Sequence, residues 1–266
     1  MRVNEVKVEV LLSTMNQEDL SIVDKMNIQT DAIVINQTDG HAFLEQQLND
    51  KNIKMYSFQE RGIGLSRNSA LLRSSADICL IADDDMVYED GYEEIVVNEF
   101  KKNPNADMIV FNVPIHQKNG VTRIKIRKKG RVRLYNGLKY GTVNFAFKRE
   151  SILKKNISFS LLFGAARYGS GEDSLFLVDM LKNKLKIYSS TKVIANITED
   201  ERESSWFNGF DEKYFYDRGA LFRAIGGKLS TILILQFLLR QRRVYKKKFS
   251  FKEVYTLMLK GSKEFK

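Results

Sequence analysis

The stretch Ile78-Cys79-Leu80-Ile81-Ala82 runs without a break into Asp83-Asp84-Asp85. An apolar run of that length reads as a strand buried on both faces, the kind found at the centre of a parallel sheet. Three adjacent carboxylates repel one another, so folding alone gives no reason to set them at the mouth of such a strand. A divalent cation, and through it a diphosphate, would relieve the repulsion. A solvated acidic turn would explain the triplet equally well, so the flanking chain has to decide.

That chain alternates strand and helix signals. Residues 6–12 alternate and then become wholly apolar, a strand ending in Ser13, Thr14, Met15 and Asn16. A second strand covers residues 31–35 and ends in the polar turn Asn36-Gln37-Thr38-Asp39-Gly40, and residues 53–56 form a weaker third. A short helix follows Asp19, and Ser66 is placed to cap another that runs through Leu71, Leu72 and Ala76. Strands separated by helices predict an α/β fold with a mostly parallel central sheet flanked by helices. Ligands of such sheets bind at the carboxyl ends of the strands. This chain places Ser13 and Asn16, Asn36 and Gln37, and the three aspartates there.

Further along, residues 93–102 read as a helix closed off by Pro104, and residues 108–113 and 142–147 as strands. Residues 118–133 between them hold eight basic residues and no acid. Their alternation at Ile124-Lys125-Ile126-Arg127 predicts an exposed hairpin around Lys129-Gly130. It is either an edge strand guarded by charge or a surface for an anionic substrate. Gly169-Ser170-Gly171 then precede Glu172-Asp173 and an apolar-periodic helix from Leu175. Acids at a helix start complement its dipole, and glycines before them let a ligand approach the backbone.

The chain of 266 residues, 43% hydrophobic and 29% charged, is long enough for one large domain or a core with an appendage. Its one cysteine, Cys79 in the apolar run, excludes a disulfide scaffold and fits a reducing compartment. The first residues lack the apolar stretch of a signal peptide, so a cytoplasmic protein is expected. The net charge of +10 is unevenly spread: residues 228–266 carry eleven Lys or Arg against two Glu, +9, which leaves +1 for the rest.

In that tail an apolar run of eleven residues, 229–239, falls short of the ~20 that a membrane span needs. Arg240, Arg242, Arg243, Lys246, Lys247 and Lys248 follow it. An apolar helix beside cations suits docking on an anionic leaflet, so peripheral attachment to the inner face of the cell membrane is expected. The competing reading is a helix packed on the domain or on a homodimer partner.

The segment Glu60-Arg61-Gly62-Ile63-Gly64-Leu65-Ser66-Arg67-Asn68, with Ala70, Ala76-Asp77 and Ile81-Ala82-Asp83-Asp84-Asp85 after it, resembles the central signature of family 2 glycosyltransferases. Glu172-Asp173 is similar to the family's second acidic motif. Ser204-Ser205-Trp206, Tyr214 and Asp217-Arg218-Gly219-Ala220 are similar to segments of bacterial polysaccharide-assembling members. The resemblance implies a GT-A (Rossmann-like) fold with a C-terminal helical appendage. Residues 1–115 would form the nucleotide-sugar-binding half, 116–205 the acceptor-side half, and 206–266 the helical, basic membrane-associating segment.

It also implies roles for individual residues. Ser13, Met15, Asn16, Asn36 and Gln37 would surround the base and ribose, with Arg61 and Arg67 near the nucleotide. Asp83 and Asp85 form the Asp-x-Asp pair expected to hold Mn²⁺ or Mg²⁺, Asp85 as the direct contact and Asp83 as the second ligand, with Asp83 or Asp84 also expected at the ribose. Asp173 holds the position of the catalytic base, with Glu172 beside it. Two departures stand out. Asn36-Gln37 replaces an acid that reads the base in many members, and the segment around Asn196 lacks a histidine that many members place there. His41 and His116 are read as ordinary surface residues.

The activity so implied is inverting transfer of a sugar from a nucleotide-diphosphate donor, a UDP-sugar, to a lipid-linked saccharide in bacterial surface-polysaccharide synthesis. A sugar-nucleotide nucleotidyltransferase shares strand-end acids but calls for a glycine-rich loop after the first strand, and residues 11–18 contain no glycine. A non-enzymatic membrane- or nucleic-acid-binding module explains the basic tail and neither acidic cluster. No nucleic-acid partner is therefore expected.

Overall fold

A computed structural model describes residues 6–164, 167–198 and 209–265. Ser204, Ser205 and Trp206 lie outside them. The chain begins with β1 (Val8–Met15), α1 (Ser21–Lys25), β2 (Asp31–Gln37), β3 (Ala42–Leu48), β4 (Lys51–Phe58) and α2 (Ile63–Arg73). It continues through β5 (Ile78–Asp83), β6 (Met86–Tyr88), α3 (Tyr92–Lys102), β7 (Met108–Asn112), β8 (Ile115–His116), β9 (Thr122–Arg123) and β10 (Gly130–Arg131). Next come α4 (Leu134–Gly137), β11 (Phe145–Lys148), α5 (Arg149–Lys154), α6 (Glu172–Lys182), β12 (Ile187–Val193) and β13 (Ala195–Thr198). Three helices close the chain: α7 (Glu212–Gly226), α8 (Ser230–Tyr245) and α9 (Phe251–Glu264).

Nine strands form the main sheet in the order β10-β12-β7-β11-β5-β1-β2-β4-β3. Strands β4, β2, β1, β5, β7 and β12 share one direction, and β3, β11 and β10 run against it. The apolar runs of β1, β2 and β5 are buried on both faces because successive side chains point to opposite sides. Val10, Leu12, Val34 and Leu80 face a core with α1 and α3. Leu11, Ile33, Cys79 and Ile81 face a second core with α2 and α6. From β1 the chain builds outward to β2 and β4, then crosses back to place β5 on the other side of β1. The strand order therefore reverses between β1 and β5, where an open α/β sheet forms a binding crevice.

Several boundaries depart from the sequence reading. The helix expected to start at Ser66 starts at Ile63, and Gly62 before it has a φ of 134° that favours glycine. Strand β3 carried no apolar signal because it is an exposed sheet edge, joined to β4 through Asn49 and Asp50, both at positive φ. Residues 142–144 form a short 3₁₀ turn and only Phe145 onward pairs as a strand.

The hairpin expected around Lys129-Gly130 is not formed. Strands β8 and β9 make the turn earlier, around Gly120, and β10 pairs with β12 at the edge of the main sheet. The cause lies in Ile126, which is buried and exchanges two 2.9 Å hydrogen bonds with the Asn112 side chain. The chain is thereby tied to β7 before it reaches Lys129, whose ammonium binds Glu99 at 2.9 Å.

The C-terminal helices form a bundle on the far side of α6. Gly219 and Gly261 let α7 and α9 touch backbone to backbone: a Cβ on Gly261 would stand 1.9 Å from the Tyr216 carbonyl oxygen, and one on Gly219 2.0 Å from that of Met258. Phe215, Ile234, Phe237, Leu238 and Met258 fill the bundle interior. Leu221 and Ile225 of α7 pack with Leu175 and Val178 of α6, and the Asp217 carboxylate accepts from Gly169 N–H at 2.8 Å.

Candidate active site

At the reversal point, Arg67 joins the two acidic clusters that the sequence keeps about ninety residues apart. One nitrogen of its guanidinium donates to both Asp83 oxygens at 2.7 and 3.1 Å, and another to Glu172 Oε1 at 2.9 Å. The arginine is only 2% exposed and lies over the Phe159 ring, which stacks on Phe176. Burial disfavours its charge, yet Asp83 and Glu172 together hold its pKa above the usual arginine value. Burial also pushes Glu172 above the ordinary carboxylate range, helped by Asp173 and opposed by Arg67. Its Oε2 accepts from Gly171 N–H at 3.1 Å. Glu172 is thus a tether, and Asp173 is the acid of the pair that Arg67 does not bind.

Asp173 sits in the first turn of α6, where the helix dipole favours a negative charge. Its Oδ1 accepts from Ser174 N–H at 2.6 Å. Its Oδ2 faces Gly141, where a Cβ would come within 3.7 Å. Lys125 lies half-buried in the same neighbourhood. Burial draws its pKa below the usual lysine range, against the pull of Asp173.

The three aspartates after β5 divide their tasks. Asp83 is bound to Arg67, and Asp84 Oδ2 accepts from the Thr14 hydroxyl at 2.7 Å. Gln17 in turn donates to Thr14 Oγ1 at 3.1 Å. Asp85 is exposed at the turn into β6. Asp84 and Asp85 line an open cavity of about 290 Å³ together with Gln17, Lys25, Val87 and Thr198.

The other expected site residues are brought to the same sheet end but turned to different uses. Ser13 is buried and accepts from Ser66 Oγ at 2.8 Å, while Met15 is 46% exposed and Asn16 takes a positive φ at the turn. Asn36 faces inward: its amide bonds Gln17 N–H at 2.9 Å, Gln17 O at 2.8 Å and Ser57 at 3.0 Å. Gln37 Oε1 accepts from Gly62 N–H at 2.7 Å. These amides join the loops after β1, β2 and β4. Arg61 binds neither acidic cluster; it donates to the Thr38 carbonyl at 2.8 Å and to Asp39 at 2.9 Å.

An exposed histidine, His116, reaches Asn196 from a neighbouring strand. Strands β13 and β8 pair in parallel, and His116 Nε2 lies 3.0 Å from Asn196 Oδ1. The Asn196 amide also binds Glu89. His41 lies elsewhere, edge-on to Phe58.

Among the described residues no three His, Cys, Asp or Glu side chains form a complete metal-binding group. The site nevertheless fits Mg²⁺ or Mn²⁺. Hard oxygen donors from Asp84 and Asp85 face the cavity, and such ions are commonly held by one or two carboxylates, substrate phosphates and water. Asp83, expected as a second metal ligand, has both oxygens on Arg67.

A sheet whose order reverses beside β1 and β5, with acids at that reversal, defines a GT-A glycosyltransferase fold with a C-terminal helical region. The chain belongs to glycosyl transferase family 2, whose description matches residues 33–166, and it is a glycosyltransferase. Among solved structures it is similar to S. aureus TarS 1-349 in complex with UDP-GlcNAc, at 16% identity and a TM-score of 0.69 over 96% of this chain and 80% of that one. The UDP complex of the same fragment matches at 16% identity and a TM-score of 0.63 over 93% and 77%. A structure of S. aureus TarS matches at 15% and 0.63, with 95% of this chain covering 55% of that one. At these identities the likeness is one of fold. A comparison with curated proteins found no match.

Proposed function

We propose that the protein is an inverting glycosyltransferase that moves a sugar from a UDP-sugar to a lipid-linked saccharide in the assembly of a bacterial surface polysaccharide. The observation that carries this reading is Arg67, which brings the acid turn after β5 within one guanidinium of the helix start bearing Asp173. A departing diphosphate needs a cation, which the acid turn would hold, and an acceptor's hydroxyl needs a carboxylate to take its proton. The UDP and UDP-GlcNAc carried by the similarly folded TarS structures support a UDP-linked donor.

In this reading Asp173 Oδ2 takes the proton of the acceptor hydroxyl, while Ser174 N–H holds the other oxygen and orients the carboxylate. The acceptor oxygen bonds to the anomeric carbon as the bond to the diphosphate oxygen breaks, so a single displacement inverts the centre. A divalent cation held by Asp84 and Asp85 would supply Lewis-acid stabilisation of the departing diphosphate. Thr14 orients Asp84, and Arg67 fixes Asp83 and Glu172 so that neither carboxylate drifts into the cleft. Met15 and Asn16 flank the nucleotide at the end of β1.

The test is a panel of UDP-, GDP- and dTDP-sugars titrated with and without Mn²⁺, followed by UDP release in the presence of lipid-linked acceptors. A UDP-sugar should bind, and Asp85→Ala should weaken both binding and turnover. Failure of every nucleotide sugar to bind, with Asp85→Ala indistinguishable from the parent, would rule the reading out.

A further inference from the structure

The outward face of α8 is apolar at one end and basic at the other. Leu229, just before the helix, and Ile232, Leu235 and Leu239 recur at helical spacing on one side and are 64, 62, 39 and 68% exposed. The opposite side, Ile234, Phe237 and Leu238, is buried in the bundle. No described residue covers the outward stripe. Directly after it come Arg240, Arg242, Arg243, Lys246, Lys247 and Lys248, all exposed and none in a salt bridge among the described residues. Four large aliphatic side chains in one row are more than the scattered surface apolar residues of an ordinary domain.

We propose that this face of α8 docks the enzyme on an anionic bilayer, the apolar row entering the interface and the six cations meeting lipid headgroups. The inference deepens the acceptor half of the proposed function and rests on that reading only for what the membrane carries. Charge complementarity selects the occupant. A second copy would bring the same +9 tail against itself, whereas an anionic leaflet offers the opposite charge. Segregation of apolar and basic residues along the helix, rather than only around it, inclines α8 so that its N-terminal end sits deeper.

The stretch Glu212–Tyr245 is long and apolar enough to cross a membrane. Its first half, however, is committed to protein contacts: Phe215, Ala220 and Leu221 are buried, and Gly219 presses on α9. Crossing would require tearing α7 from α6 and α9, whereas lying on the surface uses only what α8 already exposes. Docking of this kind fits the preference of amphipathic segments for the interface.

The test is co-sedimentation of the whole protein with phosphatidylcholine vesicles with and without phosphatidylglycerol. The protein should bind only the anionic vesicles, be released by salt, and lose about fivefold in partitioning per cation neutralised, as in Arg243→Gln and Lys247→Gln. Ile232→Glu with Leu239→Glu should lose at least as much. A thermal melt of each variant reports whether the fold survives, and UDP titration separates this result from the donor reading. Equal binding to both vesicle types, unchanged binding of the Ile232→Glu/Leu239→Glu protein, or a dimer in sedimentation velocity that this variant dissolves would each overturn the proposal. Vesicle binding without binding of any nucleotide sugar would sink the proposed function and leave the docking surface standing.

Discussion

The crevice at the end of β1 and β5 and the outer face of α8 treat charge in opposite ways. In the crevice nearly every polar side chain has a protein partner: Arg67 spans two carboxylates, Thr14 holds Asp84, and Asn36 and Gln37 join three loops. On α8 the cations have no partner among the described residues and the apolar row is left in solvent. The first region is organised before any ligand arrives, as a site for differential binding of a transition state must be. The second is a surface whose energy is realised only against another phase.

That contrast can be broken at four points. Asp173→Asn removes the proposed proton acceptor and keeps the shape, so turnover should drop by roughly 10²–10⁴-fold with donor affinity retained, as read from a kcat and Kd pair. Arg67→Met strands Asp83 and Glu172 and should destabilise the fold by about 3–5 kcal/mol in urea melts. The same variant gives a pH signature. Glu172 is already raised by burial and Asp173, and losing Arg67 removes the one influence that lowers it appreciably through charge. A carboxyl whose folded pKa is raised contributes stability at low pH that is lost as pH climbs from the ordinary carboxylate value through the folded one. The variant's deficit should therefore widen as pH rises above that range, and a flat deficit would argue that Glu172 is not held by Arg67.

On the bundle side the effects should be smaller and confined to stability. Gly261→Val forces α9 away from Tyr216 and should cost on the order of 1–3 kcal/mol in overpacking. Ser250→Ala removes the cap of α9, where Ser250 Oγ accepts from Glu253 N–H at 3.2 Å and Glu253 reaches back to Ser250 N–H at 2.7 Å, a loss of about 1 kcal/mol. UDP-sugar affinity should hold in both, measured by calorimetry. A parallel loss of donor binding would mean that the two regions are one unit.

The central strands were legible because β1, β2 and β5 are buried on both faces, which leaves an apolar run that a single sequence reveals. Strand β3 was not, since an exposed edge has no such constraint and its marker is only the Asn49-Asp50 turn. In the site, both acidic clusters were visible because the resemblance and the strand ends point to them. Their partners were hidden by distance along the chain: Thr14 meets Asp84 seventy residues away, and Ser13 meets Ser66 across fifty-three. His116 is the surface residue its sequence context suggests, and pairing of β8 with β13 brings it to Asn196. Residue type announces a carboxylate cluster, whereas the hydroxyls and amides that orient it become meaningful only once the strands are side by side.

Strand β11 is only four residues long, and yet it alone bridges β5 and β7 in the main sheet. Ala146 is opposite Leu80 on one side and Ile109 on the other. Phe145 and Phe147 pack toward Phe176 of the helix that carries Asp173. Because side chains alternate with a period of two, sliding β11 by one residue would turn both phenylalanines to the wrong face. The offset between β5, which leads into Asp83–Asp85, and the β7 side of the sheet is therefore set as a whole number of residues, by three backbone pairs on each side. Lengthening the loop of residues 117–121 leaves that offset untouched, whereas one residue inserted into Phe145–Lys148 would misalign the two halves of the cleft in a single step.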